Sequence, residues 1–182
     1  MSESPDAVPE VDRVLRSAVR EIEAHAAEAG WDQPARLYAL VPTSDLLARE
    51  PALAAAMGLD AAGGSGSLTP VEQDEVPVDT ALETVLERIM WPEDVFGCAA
   101  VVERLVLPPT ADEELPADPE EAERFASEHP DRQEVRIVAA ATRAGSTYCA
   151  LRLRVHDDAL SVLEAPDLVP ALLQLLRSTL EN

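Results

Sequence analysis

Lysine is absent from this sequence of 182 residues, and all 14 of its basic residues are arginine. They are outnumbered by 35 acidic residues, which leaves a formal net charge of −21 at pH 7. A small domain stays soluble with a net charge of magnitude about 2 to 8. The larger excess of negative charge repels nucleic acid and anionic lipid, and no basic segment offsets it, so we expect neither as a partner.

Long apolar runs are missing as well. No stretch approaches the roughly 18 apolar residues of a membrane span. The N-terminal segment "MSESPDAVPEVDR" lacks the basic start and apolar core of a signal peptide. The two cysteines, Cys98 and Cys149, have apolar, strand-like surroundings, where we expect buried and reduced side chains. These features predict a cytoplasmic protein without membrane insertion.

Residue patterns for catalysis or cofactor binding are also lacking. The histidines of "HDD" (156–158) and "EHPDR" lie in polar connections, and a metal site needs three or four converging ligands. Cys149 is predicted to face the core, which argues against a nucleophile in a polar pocket. The glycines of "GGSGS" (63–67) are not followed by the Lys-Ser/Thr pair of a phosphate loop. We therefore expect no catalytic residues, no metal and no cofactor.

Hydrophobic periodicity predicts a mixed content of helices and strands. Apolar residues at intervals of three and four predict helices over 9–29, 44–58 (interrupted or restarted at Pro51), 79–90, 119–128 and 167–180. Apolar or alternating runs predict strands over 36–43, 98–107, 134–142 and 146–155.

These elements predict one α+β domain over residues 1–182. We expect a mostly antiparallel or mixed sheet of three to five strands, packed with four to five helices in two or three layers. A flexible loop is expected near 59–79 and an acidic loop near 108–118. The direction of 98–107 relative to 134–142 stays open, because one helix lies between them.

The last two strands predict a hairpin with a defined register. Residues directly opposite one another share a face of the sheet, so the apolar odd positions of both strands must be opposed. A three-residue loop with Gly145 in the left-handed bulge position meets this requirement, whereas a two-residue turn would place Ile137 opposite Arg152. The predicted register pairs Ile137 with Leu151 and Val135 with Leu153.

The other face of this hairpin carries arginines. Arg136 is predicted opposite Arg152, and Glu134 opposite Arg154. Opposed like charges destabilise a sheet unless an anion covers them. We expect the chain's own carboxylates there, from the N-terminal helix or the 112–123 segment; a partner's acidic surface, a small anionic ligand or simple exposure to solvent are the alternatives. Arg104 is a further candidate, although Glu103 fits the same pattern. The candidate anion- or partner-binding residues are Arg136, Arg152, Arg154 and Arg104.

Several segments resemble a known family. They include "LVPTSDLLAREPALAAAMG", "WPEDVFGCAAVVERLVLPP" and "CALRLRVHDD", and the similarity extends over nearly the whole chain. The sequence is similar to conserved proteins of high-GC Gram-positive (actinobacterial) bacteria that have no assigned activity, cofactor or catalytic residues. The resemblance implies a bacterial, cytoplasmic, single-domain protein, and it does not indicate a particular function.

Two functional hypotheses remain. The leading one is a non-enzymatic binding or accessory module, which presents one surface to a protein partner or to a second copy of the chain in a homodimer. The isolated arginine face and the missing active-site pattern favour it. The alternative is an enzyme or sensor in which the arginines clamp the carboxylate or phosphate of a small anionic metabolite.

Overall fold

Six strands form an antiparallel sheet in the computed structural model, which describes residues 10–59, 66–73, 76–77, 79–107, 111 and 113–181. In chain order the strands are β1 Arg36–Pro42, β2 Leu68–Glu72, β3 Gly97–Val106, β4 Gln133–Thr142, β5 Thr147–Leu153 and β6 Leu163–Ala165. They lie side by side in the order β2-β1-β3-β4-β5-β6, and each neighbouring pair is antiparallel. The edges of the sheet are therefore β2 and β6.

Helices cover both faces of the sheet. They are α1 Glu10–Ala29, α2 Thr43–Arg49, α3 Pro51–Ala56, α4 Leu82–Leu86, α5 Pro119–Glu128 and α6 Pro170–Leu180; two 3₁₀ turns, Arg154–His156 and Ala159–Ser161, follow β5. The apolar side of α1 packs on one face, and α4 and α6 pack with Trp91 on the other. The result is a three-layer arrangement. None of the described helices has the length and apolar character needed to cross a membrane.

Small side chains fill the middle of the sheet. Strands β3 and β4 are covered on both faces, which is why their sequences are apolar without clear alternation. Because alanine lets the helical layers approach closely, this core needs few aromatic side chains, in agreement with an aromatic content of 3%. The fully buried alanines of these two strands are Ala99, Ala100, Ala139, Ala140 and Ala141.

The predicted α+β class is confirmed, and the predicted numbers of strands and helices are wrong. Instead of three to five strands and four to five helices, the described residues form six strands and six α-helices. Strand β2 lies within the stretch 59–79 that the sequence pattern assigns to a loop. Pro70 interrupts the sequence pattern of this strand, although proline is tolerated in an edge strand such as β2. Strand β6 has only three residues, too few to show an alternating pattern.

Several element boundaries also differ from the prediction. The last helix begins at Pro170 and not at Asp167, because a residue that precedes proline is disfavoured in the helical conformation. The helix predicted over 79–90 is confined to α4, and β5 ends at Leu153, where the chain turns into a 3₁₀ turn. Strand β3 is antiparallel to β4, which settles the direction that the sequence left open.

The closing hairpin has the predicted register. Ile137 lies opposite Leu151, and Arg136 lies opposite Arg152. Gly145 has a φ of +92°, the left-handed conformation that the three-residue loop requires. The alternation of apolar and polar side chains was sufficient to define this pairing, because a shift by one residue would exchange the two faces.

Arg143, in the loop of this hairpin, connects three parts of the fold. Its guanidinium donates hydrogen bonds to the backbone carbonyl oxygens of Trp91 (3.0 Å), Pro92 (2.9 Å), Val95 (2.8 Å) and Leu180. The Leu180 carbonyl lies at the C-terminal end of α6, where a positive charge interacts favourably with the helix dipole. Arg143 therefore fastens α6 and the segment before β3 to the hairpin.

Candidate functional site

The arginines of the hairpin lie beneath α1 and not at the surface. Arg136 of β4 and Arg152 of β5 are opposite one another and project to the face that α1 covers. Their exposed fractions are only 2% and 7%. Arginine is almost never buried to this extent unless its charge is paired, so the covering carboxylates decide what this face can do.

Glu23 of α1 is the carboxylate that approaches both arginines. Its oxygens accept hydrogen bonds from Nε (2.5 Å) and Nη2 (3.4 Å) of Arg152, and Oε1 lies 4.0 Å from Nη2 of Arg136. Leu15, Val19 and Glu23 follow one another at intervals of four, which places them on one side of the helix, and all three are buried. The N-terminal helix, one of the two predicted sources, thus supplies the covering carboxylate.

Asp157 binds the remaining side of Arg152. Nη1 of Arg152 donates to Oδ1 of Asp157 at 3.0 Å, so each of the three guanidinium nitrogens donates to a carboxylate. This hydrogen bond holds the pKa of Asp157 below its usual value, because it favours the ionised form. For Arg152, burial lowers the pKa, but hydrogen bonds to Asp157 and Glu23 raise it, and the net shift is upward.

Arg154 marks the solvent-exposed end of the same face. Its Nη1 and Nη2 donate to the two oxygens of Asp32 (2.9 and 3.1 Å), and Nη1 also donates to Glu134 (3.0 Å). The predicted contact between Glu134 and Arg154 is therefore present. The indole of Trp31 contacts two guanidinium groups: the central carbons of Arg136 and Arg154 lie 4.7 and 5.6 Å from the ring centre.

The connection between α1 and β1 is attached to this face through Glu103. The backbone N–H groups of Asp32 and Gln33 donate to the Glu103 carboxylate at 2.9 and 2.7 Å. Asp32 has a φ of +64°, a left-handed conformation that aspartate adopts more readily than most residues. Glu103 lies directly opposite Arg136, so it occupies the position on β3 for which Arg104 was the other candidate.

Arg104 lies apart from the other three candidate arginines. It is opposite Val135 and projects to the other face of the sheet, where it donates to Glu83 of α4. The structure thus brings together three of the four predicted arginines with the predicted Glu134, and it adds Trp31 and three carboxylates, those of Glu23, Asp32 and Asp157, that the sequence did not assign to this face. We define the arginine cluster as Arg136, Arg152 and Arg154 with Glu23, Trp31, Asp32, Glu134 and Asp157.

A cavity of about 300 Å³ borders the arginine cluster at Arg152 and Glu23, but the guanidinium nitrogens of Arg152 already donate to the chain's own carboxylates. Arg152 and Arg154 are occupied by carboxylates. Within the described part of the chain, two guanidinium nitrogens of Arg136, Nε and Nη2, donate no hydrogen bond. The cavity beside them has a volume of about 10 Å³, enough for one water molecule and too small for a metabolite. The anion-clamp hypothesis gains no support from this geometry.

The two cysteines are buried, and the regions that the structure describes contain no metal-binding cluster. No cluster of three or more His, Cys, Asp or Glu side chains there is arranged to hold a metal ion. Cys98 is fully buried, and burial raises the pKa of its thiol to about 11. Burial also raises the pKa of Cys149. Thiols in this state stay protonated at neutral pH and are poor nucleophiles.

Comparison with known proteins gives a family and no activity. A family model described as PPA1309-like protein matches residues 15–181, a range that contains the whole arginine cluster. The chain belongs to this family. No curated protein and no solved structure matches it. Because the description of the family names no activity, membership assigns no role to the cluster.

This PPA1309-like chain exposes large apolar side chains between its last two strands. Residues 154–163 run from the end of β5 to the start of β6, and we name them the edge turn. Within it, Leu160 is 99% exposed, Val155 68% and Leu163 58%. Sequence reasoning missed this feature, because Val155 was assigned to the predicted strand over 146–155 and the apolar residues that follow show no regular periodicity.

Hydrogen bonds hold the edge turn in place. Oδ1 of Asp158 accepts from the backbone N–H of Leu160 (3.0 Å), and Oδ2 accepts from the hydroxyl of Ser161 (2.8 Å). On the other side of Asp158, Asp157 binds Arg152 of the arginine cluster. The leucine is therefore displayed on an ordered backbone that is anchored to the core, and not on a loose loop.

The anchoring of the edge turn is expected to depend on pH. The pKa of Asp157 is lowered in the folded protein, so its contribution to stability is present above its unfolded-state pKa of about 3.9 and is lost as the pH falls through the lower folded-state value. Urea unfolding between pH 5 and pH 2.5 should show a steeper loss of stability for the wild type than for Asp157→Asn. Parallel curves would contradict this role.

Proposed function

We propose that this chain is a non-enzymatic accessory module of the cytoplasm of a high-GC Gram-positive bacterium, and that it binds a partner protein through the edge turn. The observation that carries the proposal is Leu160, which is 99% exposed on a hydrogen-bonded turn. A single exposed leucine is common on protein surfaces. Three exposed apolar side chains in one short segment, Val155, Leu160 and Leu163, distinguish the edge turn from a surface with isolated apolar residues.

The ordered backbone of the edge turn favours binding as much as the exposure of Leu160 does. Burial of a leucine side chain in a partner's pocket contributes about 1.5 to 3 kcal/mol. Binding usually loses part of such a gain to the ordering of loops. Because Asp158 accepts hydrogen bonds from the backbone N–H groups of Leu160 and Ser161 and from the Ser161 hydroxyl, part of that ordering is already present before binding.

In this proposal the arginine cluster supports the binding surface and is not that surface. Arg152 of β5 binds both Glu23 of α1 and Asp157 of the edge turn, so its hydrogen bonds hold the edge turn against the sheet. Replacement of Arg136 and Arg152 by glutamate would place further carboxylates beside Glu23 in the interior. Such a variant would lose stability and would not report on binding.

Leu160→Ser is expected to remove the specific partner without affecting the fold. The side chain has almost no contacts with its own chain, so the free energy of unfolding should change by less than about 0.5 kcal/mol. The measurement is a quantitative pull-down in which wild type, Leu160→Ser and Leu53→Ser are compared. Leu53 lies in α3 and is 42% exposed, and it serves as the control at a second exposed leucine. Identical partner lists for all three proteins would refute the proposal.

A further inference from the structure

The charges around the edge turn indicate what kind of partner it binds. Asp158 uses its carboxylate for hydrogen bonds to the Leu160 N–H and the Ser161 hydroxyl, and neither of these groups neutralises it. Asp157 is paired with Arg152, yet its side chain remains 46% exposed. Leu160 is thus held by an exposed carboxylate, that of Asp158, and Asp157 lies three residues before it in the chain.

The net charge of the whole chain also favours a basic partner. A net charge of −21 attracts cationic surfaces over long distances and repels other acidic ones. A second copy of this chain carries the same charge, so self-association through the edge turn would oppose two strongly negative molecules. Complementary charge steers association and excludes wrong partners more than it adds affinity.

We infer that the partner is a protein with a leucine-sized apolar pocket that is bordered by arginine or lysine side chains. Leu160 enters the pocket, and Asp158, with the exposed side of Asp157, faces the basic border. This inference rests on the proposed function and adds the chemistry of the partner to it.

Site-specific cross-linking identifies the surface that contacts Leu160. The photo-reactive diazirine analogue of leucine, which is close to leucine in size and fits the same pocket, replaces Leu160 in the full chain, or Leu53 as the control, and cross-linked peptides are identified by mass spectrometry. The expected result is a peptide of another protein with Arg or Lys next to apolar residues, obtained from position 160 only. A cross-link to peptides of this chain would overturn the inference in favour of a second copy.

The charge contribution is measured with the purified partner that the cross-link identifies. Asp158→Asn keeps an acceptor for the Leu160 N–H but removes the charge, since asparagine caps as well as aspartate. Its affinity should fall by up to about fivefold at 50 mM salt, as expected for one exposed ion pair. The difference should shrink at 500 mM salt, where such a pair is screened. Asp79→Asn, at another exposed aspartate, should bind as wild type does.

The outcomes separate this inference from the proposed function. A partner that depends on Leu160 but binds Asp158→Asn equally well, with no salt dependence, would overturn the basic border and leave the docking role in place. If no cross-link at position 160 exceeds the control at position 53, the docking role itself fails.

Discussion

Glu23→Ala is expected to lower the free energy of unfolding by about 3 to 5 kcal/mol, the range for removal of one partner from a buried ion pair. The Glu23 carboxylate is buried and serves two guanidinium groups, one through hydrogen bonds and one at 4.0 Å. Without it, Arg136 and Arg152 remain opposite one another as like charges beneath α1. Equilibrium unfolding in urea, followed by circular dichroism, measures the loss.

Matched variants distinguish the charge of Glu23 from its packing. Glu23→Gln keeps the shape and one acceptor and should fall between wild type and Glu23→Ala. Glu21→Ala, at an exposed position of the same helix, should change stability by less than about 0.5 kcal/mol. Arg152→Ala should be less harmful than Glu23→Ala, because it also removes the repulsion with Arg136. A reversed order of these two variants would show that Glu23 is not the centre of the cluster.

The structure could be predicted from the sequence where an alternating apolar pattern and a short loop define the pairing of two neighbouring strands. The register of the last hairpin followed from the apolar odd positions and from the conformational freedom of Gly145, and the structure has that register. The prediction missed two strands, because the sequences of these segments do not show a clear strand pattern. Strand β2 contains Pro70, and β6 is only three residues long. In both cases the pairing with a neighbouring strand, and not the segment's own pattern, produces the strand.

The site was predictable in part. The arginine face required a covering carboxylate, and the spacing of Leu15, Val19 and Glu23 contained the signal that identifies it, since an acid at that interval belongs to the apolar side of the helix. No comparable signal exists for Trp31 or Asp157, which reach the cluster through connections whose path depends on the complete fold. The same holds for Leu160, whose exposure is a property of the folded surface.

Arg143→Ala is expected to be the second strongly destabilising substitution, with a loss of about 3 kcal/mol. A hydrogen bond from a charged group contributes about 1.5 to 3 kcal/mol, and several bonds from one side chain do not add fully. In this chain the guanidinium binds four backbone carbonyl oxygens, those of Trp91, Pro92, Val95 and Leu180. The melting temperature of a domain of this size should fall by about 6 to 12 °C, which calorimetry measures.

The shape of the guanidinium accounts for this effect, and two variants test that explanation. Arg143→Lys keeps a charge near the C-terminal end of α6, but its single ammonium cannot reach four carbonyl groups in different directions, so we expect an intermediate loss. Arg177→Ala removes an exposed charge from the last turn of α6 and should change stability by less than about 0.5 kcal/mol. Hydrogen exchange should locate the damage, because Arg143→Ala releases the segment before β3 and the end of α6 while α1 stays protected. Equal losses for Arg143→Ala and Arg177→Ala would mean that the helix dipole, and not the bonded carbonyl groups, determines the contribution of Arg143.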